Sequence, residues 1–216
     1  MLEKMDAFFE ARLDGYDQHM LTNIESAQQF YAFTAKALPA QSAIHLLDLG
    51  CGTGLELEYF LRINPTAQIT GIDLSQGMLD ALESKLKGFS LTLIHGSYFD
   101  VPLCSNQYDA AVSVESLHHF TQAEKIPLYS KLHASLKPDG YFILTDYFAN
   151  TEQEEKHLQN ELIALKQQQG IDDHEFYHFD TPLTVQHEIE ALKVAGFSKV
   201  EELRSWGATH TLKAWR

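Results

Sequence analysis

The chain has only two cysteines in 216 residues, Cys51 and Cys104, at neither a pairing nor a metal-ligand spacing. A disulfide framework and a cysteine-bound zinc are therefore excluded as sources of stability. No apolar run is long enough to cross a bilayer, so no membrane partner is expected. The segment Met1 to Asp6 has no basic stretch leading into an apolar block, which makes cytoplasm the expected compartment. Basic residues are also scarce: sixteen Lys and Arg stand against thirty Asp and Glu, for a net charge of −14, and no basic run occurs. Phosphate backbones are bound by clustered Lys and Arg through counterion release, so nucleic acid is disfavoured as a partner.

What is present is a 44% hydrophobic composition, sufficient for the core of one domain, with no internal repeat or linker. The first forty residues read as helical. Phe8, Phe9 and Leu13 form one segment, Gly15 to Met20 a break, and Ile24, Ala27, Phe30, Tyr31, Thr34, Ala35 and Leu38 a second segment that Pro39 ends. From residue 44 short apolar strands alternate with helical stretches: strands at 44–49, 67–72, 90–95, 109–114 and 140–147, and helices at about 54–63, 76–86 and 122–135. This alternation predicts a doubly wound α/β fold, a mostly parallel sheet with helices on both faces. A Thr151-x-x-Glu154 capping box starts a further helix that Gly170 ends, with Leu158, Leu162, Ile163 and Leu165 as its packed face. An acidic and aromatic stretch follows at 171–180, then a helix at 184–194 and two closing strands, roughly 198–205 and 208–215.

The most informative segment is Leu46-Leu47-Asp48-Leu49-Gly50-Cys51-Gly52-Thr53-Gly54, an apolar strand that runs into three alternate glycines. Without Cβ atoms these glycines can take unusual backbone conformations and let a ligand lie on bare main chain at a helix start. A dinucleotide fingerprint needs its third glycine at position 55, which is Leu55, so a nicotinamide dehydrogenase is opposed. Ligands of such sheets bind beyond the carboxyl ends of the strands, where Gly50, Asp73, Ser97 and Glu115 fall.

With Asp48 two residues before G-x-G-x-G, the chain resembles the class I S-adenosylmethionine-dependent methyltransferases. Ile69 to Ser75 is similar to that family's second strand with its terminal acid, Tyr108 to Phe120 to its fourth-strand motif, and Leu136 to Leu144 to its turn and fifth strand. The resemblance implies a Rossmann-like seven-stranded sheet with an antiparallel C-terminal hairpin and a helical cap. Residues 1–40 and 150–182 would form the cap, 41–149 the cofactor-binding core and 183–216 the closing helix and hairpin. It also implies S-adenosylmethionine as the cofactor. Gly50, Gly52 and Gly54 would give backbone approach, with Cys51 a small side chain packed behind the cofactor. Asp48 would orient the loop or meet the methionyl ammonium, and Asp73 would hold the ribose. Leu74 and Met78 would pack the adenine, and Glu115 would stand near the methionyl end. Tyr16, in the break between the first helices, matches the place of a segment that folds over the cofactor in family members. The chain departs from the family at Gly96-Ser97-Tyr98, where Gly-Asp-Ala is usual: Ser97 bonds the adenine amine more weakly than a carboxylate, and Tyr98 adds bulk.

Methyl transfer is an in-line displacement in which positioning supplies most of the acceleration, so no shared base is required. His118 and His119 are candidate proton acceptors, because histidine titrates near neutral pH. Tyr147 is a candidate acceptor-facing group, as are Tyr177 and His178. No metal is expected, because adjacent residues on a helix point in different directions and His118-His119 is the only adjacent histidine pair. The expected partner is a small organic methyl acceptor, cationic or neutral, with a homodimer as the one protein assembly considered. Two other readings share the motifs: an RNA- or tRNA-nucleoside-modifying transferase, which needs a basic face, and an adenosyl-ligand binding protein without turnover.

Overall fold

A computed structural model describes residues 1–171 and 175–216. Asp172, Asp173 and His174 of the acidic aromatic stretch lie outside the described residues.

The core alternates as the sequence predicts. β1 (His45–Leu49) leads to α4 (Leu55–Ile63), β2 (Gln68–Asp73), α5 (Gln76–Lys85), β3 (Ser90–His95) and β4 (Tyr108–Val114). A 3₁₀ turn (Leu117–His119), α6 (Gln122–Ser135), β5 (Leu136–Tyr147), α7 (Glu152–Gln169), α8 (Val185–Val194), β6 (Lys199–Trp206) and β7 (Thr209–Trp215) complete it. Before β1 come α1 (Met5–Glu10), α2 (Tyr16–Asn23) and α3 (Ala27–Ala37). The seven strands lie in the order β3-β2-β1-β4-β5-β7-β6. The first five run parallel, and β7 pairs antiparallel with both β5 and β6. Strand order reverses between β1 and β4, which places a crevice at their carboxyl ends.

Both faces of the sheet are covered, so neighbouring residues of a central strand enter opposite cores. Leu46 packs with Phe30, Leu57, Phe60 and Leu82 on one side. Leu47 and Leu49 pack with Leu128, Tyr129, Leu132 and Leu192 on the other. This explains why the strands read as continuous apolar runs rather than as alternating ones.

Four expectations change. The break at Gly15 to Met20 is the start of α2, for which Gly15 supplies a left-handed N-cap at φ 85°. Met20 is the one buried residue of that helix, so it left no apolar periodicity to read. β5 starts at Leu136 rather than 140, because Leu136 pairs with Tyr108 before a register shift brings Tyr141 opposite Ala110. The reciprocal cap at Thr151 is incomplete: Thr151 accepts from Glu154 N at 3.1 Å, but the Glu154 carboxylate turns to Asn150 N at 2.8 Å. Finally, α7 lies on the surface. Ile163 is 54% exposed and Glu155 is the buried residue of the helix. Glu155 fixes α7 by accepting from Thr184 N at 2.7 Å and pairing with His187.

Candidate active site

The glycine loop is held by β2. Gly50 N and Cys51 N donate to Ile72 O at 2.8 and 3.2 Å, and Gly52 N donates to Asp73 Oδ2 at 2.8 Å. Asp73 Oδ1 accepts from Ser75 N at 2.9 Å, and Ser75 caps α5 by accepting from Met78 N. Gly50 and Gly52 have φ of 73° and 47°, the left-handed region that side chains disfavour. A Cβ on Gly50 would come within 2.1 Å of Ser116 Oγ, whereas one on Gly52 would enter open space.

A narrow cavity of about 50 Å³ borders this loop, with Gly50, Gly52, Asp73, Leu74, Met78 and Tyr98 in its wall. Beside it opens a larger cavity of about 930 Å³. Phe9, Tyr16, Glu115 and His119 line both, so the two spaces meet at these side chains. Met5 and Phe9 from α1 and the Tyr98 ring form part of the wall of the narrow one. The Tyr98 ring stands 3.5 Å from where a Cβ on Gly50 would be, and its hydroxyl is 3.2 Å from Ser116 Oγ. The bare glycine backbone and the carboxylate at the end of β2 fit an adenosyl ligand, provided these three side chains move outward.

Several residues of the expected set border neither cavity. Cys51 is buried with Sγ directed at Gly71 of β2, where a Cβ would meet it at 2.8 Å, and it borders neither cavity. Gly54 caps α4 at φ 76°, and a Cβ there would press on Leu82 at 3.1 Å, so its place is in helix packing. Ser97 turns back to accept from Phe99 N at 3.1 Å and does not line the cavity. Asp48 is fully buried, and among the described residues no hydrogen-bond donor reaches its oxygens. Burial and the neighbouring Glu56 carboxyl hold Asp48 well above the usual carboxylate range.

The wall of the larger cavity holds the histidines. Both sit on the 3₁₀ turn, and their ring centroids are 4.1 Å apart, so the expected divergence of adjacent residues fails in this tight turn. His118 Nδ1 is 2.5 Å from Asp146 Oδ1. Asp146 is itself fixed by Leu117 N and Tyr147 N, at 2.8 and 2.9 Å. His119 Nδ1 is 3.1 Å from Asp180 Oδ1, and His118 Nε2 is 3.6 Å from the same oxygen. Burial opposes charge on His118, but Asp146 outweighs it and pushes the ring up to about 9. Burial and the adjacent His118 bring His119 down to about 4. Glu115, in the left-handed region at φ 49°, is pushed up to about 7 by burial and by Asp146. Tyr147 and His178 also line this cavity; Tyr177 does not, and pairs with Glu175 at 3.0 Å. The burial of Tyr147 raises its phenol above the ordinary value, so the phenol keeps its proton near neutral pH.

Met5, Phe9, Asp146 and Asp180 were not legible as site residues. Asp146 carried a signal, as an acid inside the apolar strand Phe142 to Tyr147; Asp180 arrives on a returning loop that leaves none.

A crevice at the switch point of a seven-stranded sheet with this hairpin ending defines a Rossmann-like α/β fold. A family model described as a methyltransferase domain matches residues 46–140. An uncharacterized methyltransferase of Oceanobacillus iheyensis is 27% identical over 77% of this chain and 67% of that protein. A carboxy-S-adenosyl-L-methionine synthase of Campylobacter jejuni subsp. doylei is 24% identical over 84% of this chain and 80% of its own length. Among solved structures, an S-adenosylmethionine-dependent methyltransferase from Mesorhizobium loti superposes with a TM-score of 0.61 at 19% identity, covering 85% of this chain and 96% of that one. Human N-acetylserotonin methyltransferase, solved with its cofactor, superposes with a TM-score of 0.64 at 17% identity, covering 97% and 55%. These two likenesses concern the fold alone. Residues 46–140 carry a methyltransferase domain, and the relatives and solved structures together support a class I S-adenosylmethionine-dependent methyltransferase with S-adenosylmethionine as cofactor.

Proposed function

We propose that the chain methylates a small organic acceptor held in the larger cavity. The observation that carries this reading is the junction of the two cavities at Phe9, Tyr16, Glu115 and His119. When bound, S-adenosylmethionine supplies an electrophilic sulfonium methyl group. Asp73 would hold the ribose, Leu74 and Met78 would pack the adenine, and Gly50 and Gly52 would let the ligand lie on the main chain. Tyr16 and Phe9 would close over the junction and exclude water.

Positioning of two reactants supplies roughly 7–11 kcal/mol of barrier lowering, which makes the shape of the junction the main catalytic element. The wall of His118, His119, Tyr147 and Asp180 would orient the acceptor, and His119, the neutral imidazole of the set, would receive a proton released by an N–H or O–H group. Asp14, Glu115 and Asp180 face the cavity against Arg12 and the protonated His118, a balance that favours a neutral or cationic acceptor over a polyanion. The net charge of −14 supports the same preference against nucleic acid.

The test is calorimetry with S-adenosylmethionine, S-adenosylhomocysteine and NAD, followed by a screen of small amines, phenols and acids using methyl-labelled cofactor, with bulk tRNA as a further acceptor. Adenosyl binding with transfer to a small molecule supports the proposal. Transfer to tRNA alone, or binding without any turnover, would overturn it.

A further inference from the structure

We propose that His118, His119 and Asp180 form a binding site for one divalent transition-metal ion at the wall of the larger cavity. One donor atom from each lies within 4.8 Å of the others. Asp180 Oδ1 is 3.1 Å from His119 Nδ1 and 3.6 Å from His118 Nε2. A tetrahedral centre with bonds of about 2.0–2.1 Å sets its donors about 3.3–3.4 Å apart, so those two separations bracket what an ion needs. Small rotations of two rings and one carboxylate would suffice.

The surroundings match a built site. A metal-ligating imidazole characteristically donates its second N–H to a carboxylate, which fixes the ring and its tautomer. His118 Nδ1 stands 2.5 Å from Asp146 Oδ1, leaving Nε2 directed at Asp180. Asp146 is fully buried and held by two backbone N–H groups, so the ring is set before any ion arrives. Charge agrees as well. Glu115, Asp146 and Asp180 gather around two imidazoles, and Glu115 and Asp146 form a second metal-competent group with His118. A dication would neutralise carboxylates that are otherwise crowded.

Three protein donors leave the remaining positions open to the 930 Å³ cavity, where water or an acceptor oxygen or nitrogen could coordinate. Two imidazoles and one carboxylate suit Zn²⁺, Fe²⁺ or Co²⁺; Mg²⁺ and Ca²⁺ prefer all-oxygen shells. The pairing is not legible in the sequence, because Asp180 is about sixty residues from the histidines and joins them only through the fold. Metal binding would stand whether or not the cavity takes a small acceptor.

The experiment uses the untagged full-length chain, stripped with a chelator and titrated with Zn²⁺ by calorimetry, with Co²⁺ by visible absorption and with Mg²⁺ as the contrast. One Zn²⁺ per chain, Co²⁺ bands that Zn²⁺ abolishes, and much weaker Mg²⁺ binding are expected. Asp180→Ala changes a side chain that is 48% exposed, so the fold should survive. It should weaken Zn²⁺ at least tenfold, and Asp146→Asn by about 10- to 100-fold. His157→Gln, at a surface histidine beside Glu161, should change nothing. Absence of stoichiometric Zn²⁺ binding, unchanged affinity in Asp180→Ala, or loss of the site in His157→Gln would overturn the proposal. S-adenosylmethionine binding on the same samples separates the two readings: cofactor without metal overturns only this one, and metal without cofactor overturns only the methyl-transfer reading.

Discussion

Asp73 Oδ2 accepts from Gly52 N at 2.8 Å, so the carboxylate that borders the narrow cavity also holds the glycine loop in place. Asp73→Ala should therefore lose affinity and stability together. A hydrogen bond to a charged group contributes about 1.5–3 kcal/mol, so S-adenosylmethionine binding should fall about 10- to 100-fold, with a lowered melting temperature. Calorimetry beside thermal denaturation reads both. A folded variant with unchanged affinity sinks the ribose assignment.

The glycines of the loop should separate by variant. Gly50→Ala places a Cβ 2.1 Å from Ser116 Oγ at φ 73° and should impair folding itself. Gly52→Ala meets no atom within 4 Å, so it should cost only about 1–2 kcal/mol for its left-handed backbone while blocking the ligand's approach. Soluble yield and cofactor affinity of the two variants check this, and equal affinity in Gly52→Ala and the parent would remove the loop from the binding site.

The buried pair Asp48 and Glu56 makes stability pH-dependent. Burial raises both carboxyls, so the folded chain holds their protons more tightly than the unfolded chain does. Stability contributed by this pair is present at low pH and falls as pH rises above the ordinary carboxylate range near 4. Asp48→Asn can donate to Glu56 and should raise the melting temperature at pH 8 by a few degrees, with little change near pH 4. A uniform shift across that range would contradict the pairing.

α6 and α8 are joined by a buried ion pair, Lys125 Nζ to Glu188 Oε2 at 2.6 Å, with Tyr129 also donating to Glu188. Both charges are almost wholly inaccessible, at 2% and 1% side-chain exposure. Glu188→Ala would strand the ammonium and should cost about 3–5 kcal/mol, which lowers the melting temperature by about 10 °C. Denaturant titration gives the direct value, and a loss under 1 kcal/mol would show that the pair is dispensable.

The N-terminal cover is pinned at Glu10, whose Oε2 accepts from Ser75 Oγ at 2.7 Å and from Gly77 N at 3.2 Å. Asp17 adds a second anchor to Thr53 and Lys85. Glu10→Ala should speed both association and release of S-adenosylmethionine by stopped flow, because Met5 and Phe9 must move before the ligand enters. Unchanged rates would mean that the cover opens elsewhere.

Sequence by itself determined the sheet and its parallel core, because these rest on local signals, the apolar runs that fill two core faces; the cofactor followed from the resemblance of the glycine loop, Asp48 and Asp73 to the methyltransferase motifs. It also determined the closing hairpin, apart from register. Tertiary structure alone decided which of those residues border the cavities. Cys51, Gly54 and Ser97 share the motifs, yet they turn into packing, since the direction of a side chain depends on what is stacked against the loop. The same holds for His118, His119, Asp146 and Asp180, which come from the 3₁₀ turn, the end of β5 and a returning loop. Spacing along the chain carries no trace of their meeting, because the contacts that assemble them form between elements and only after both sheet faces are covered.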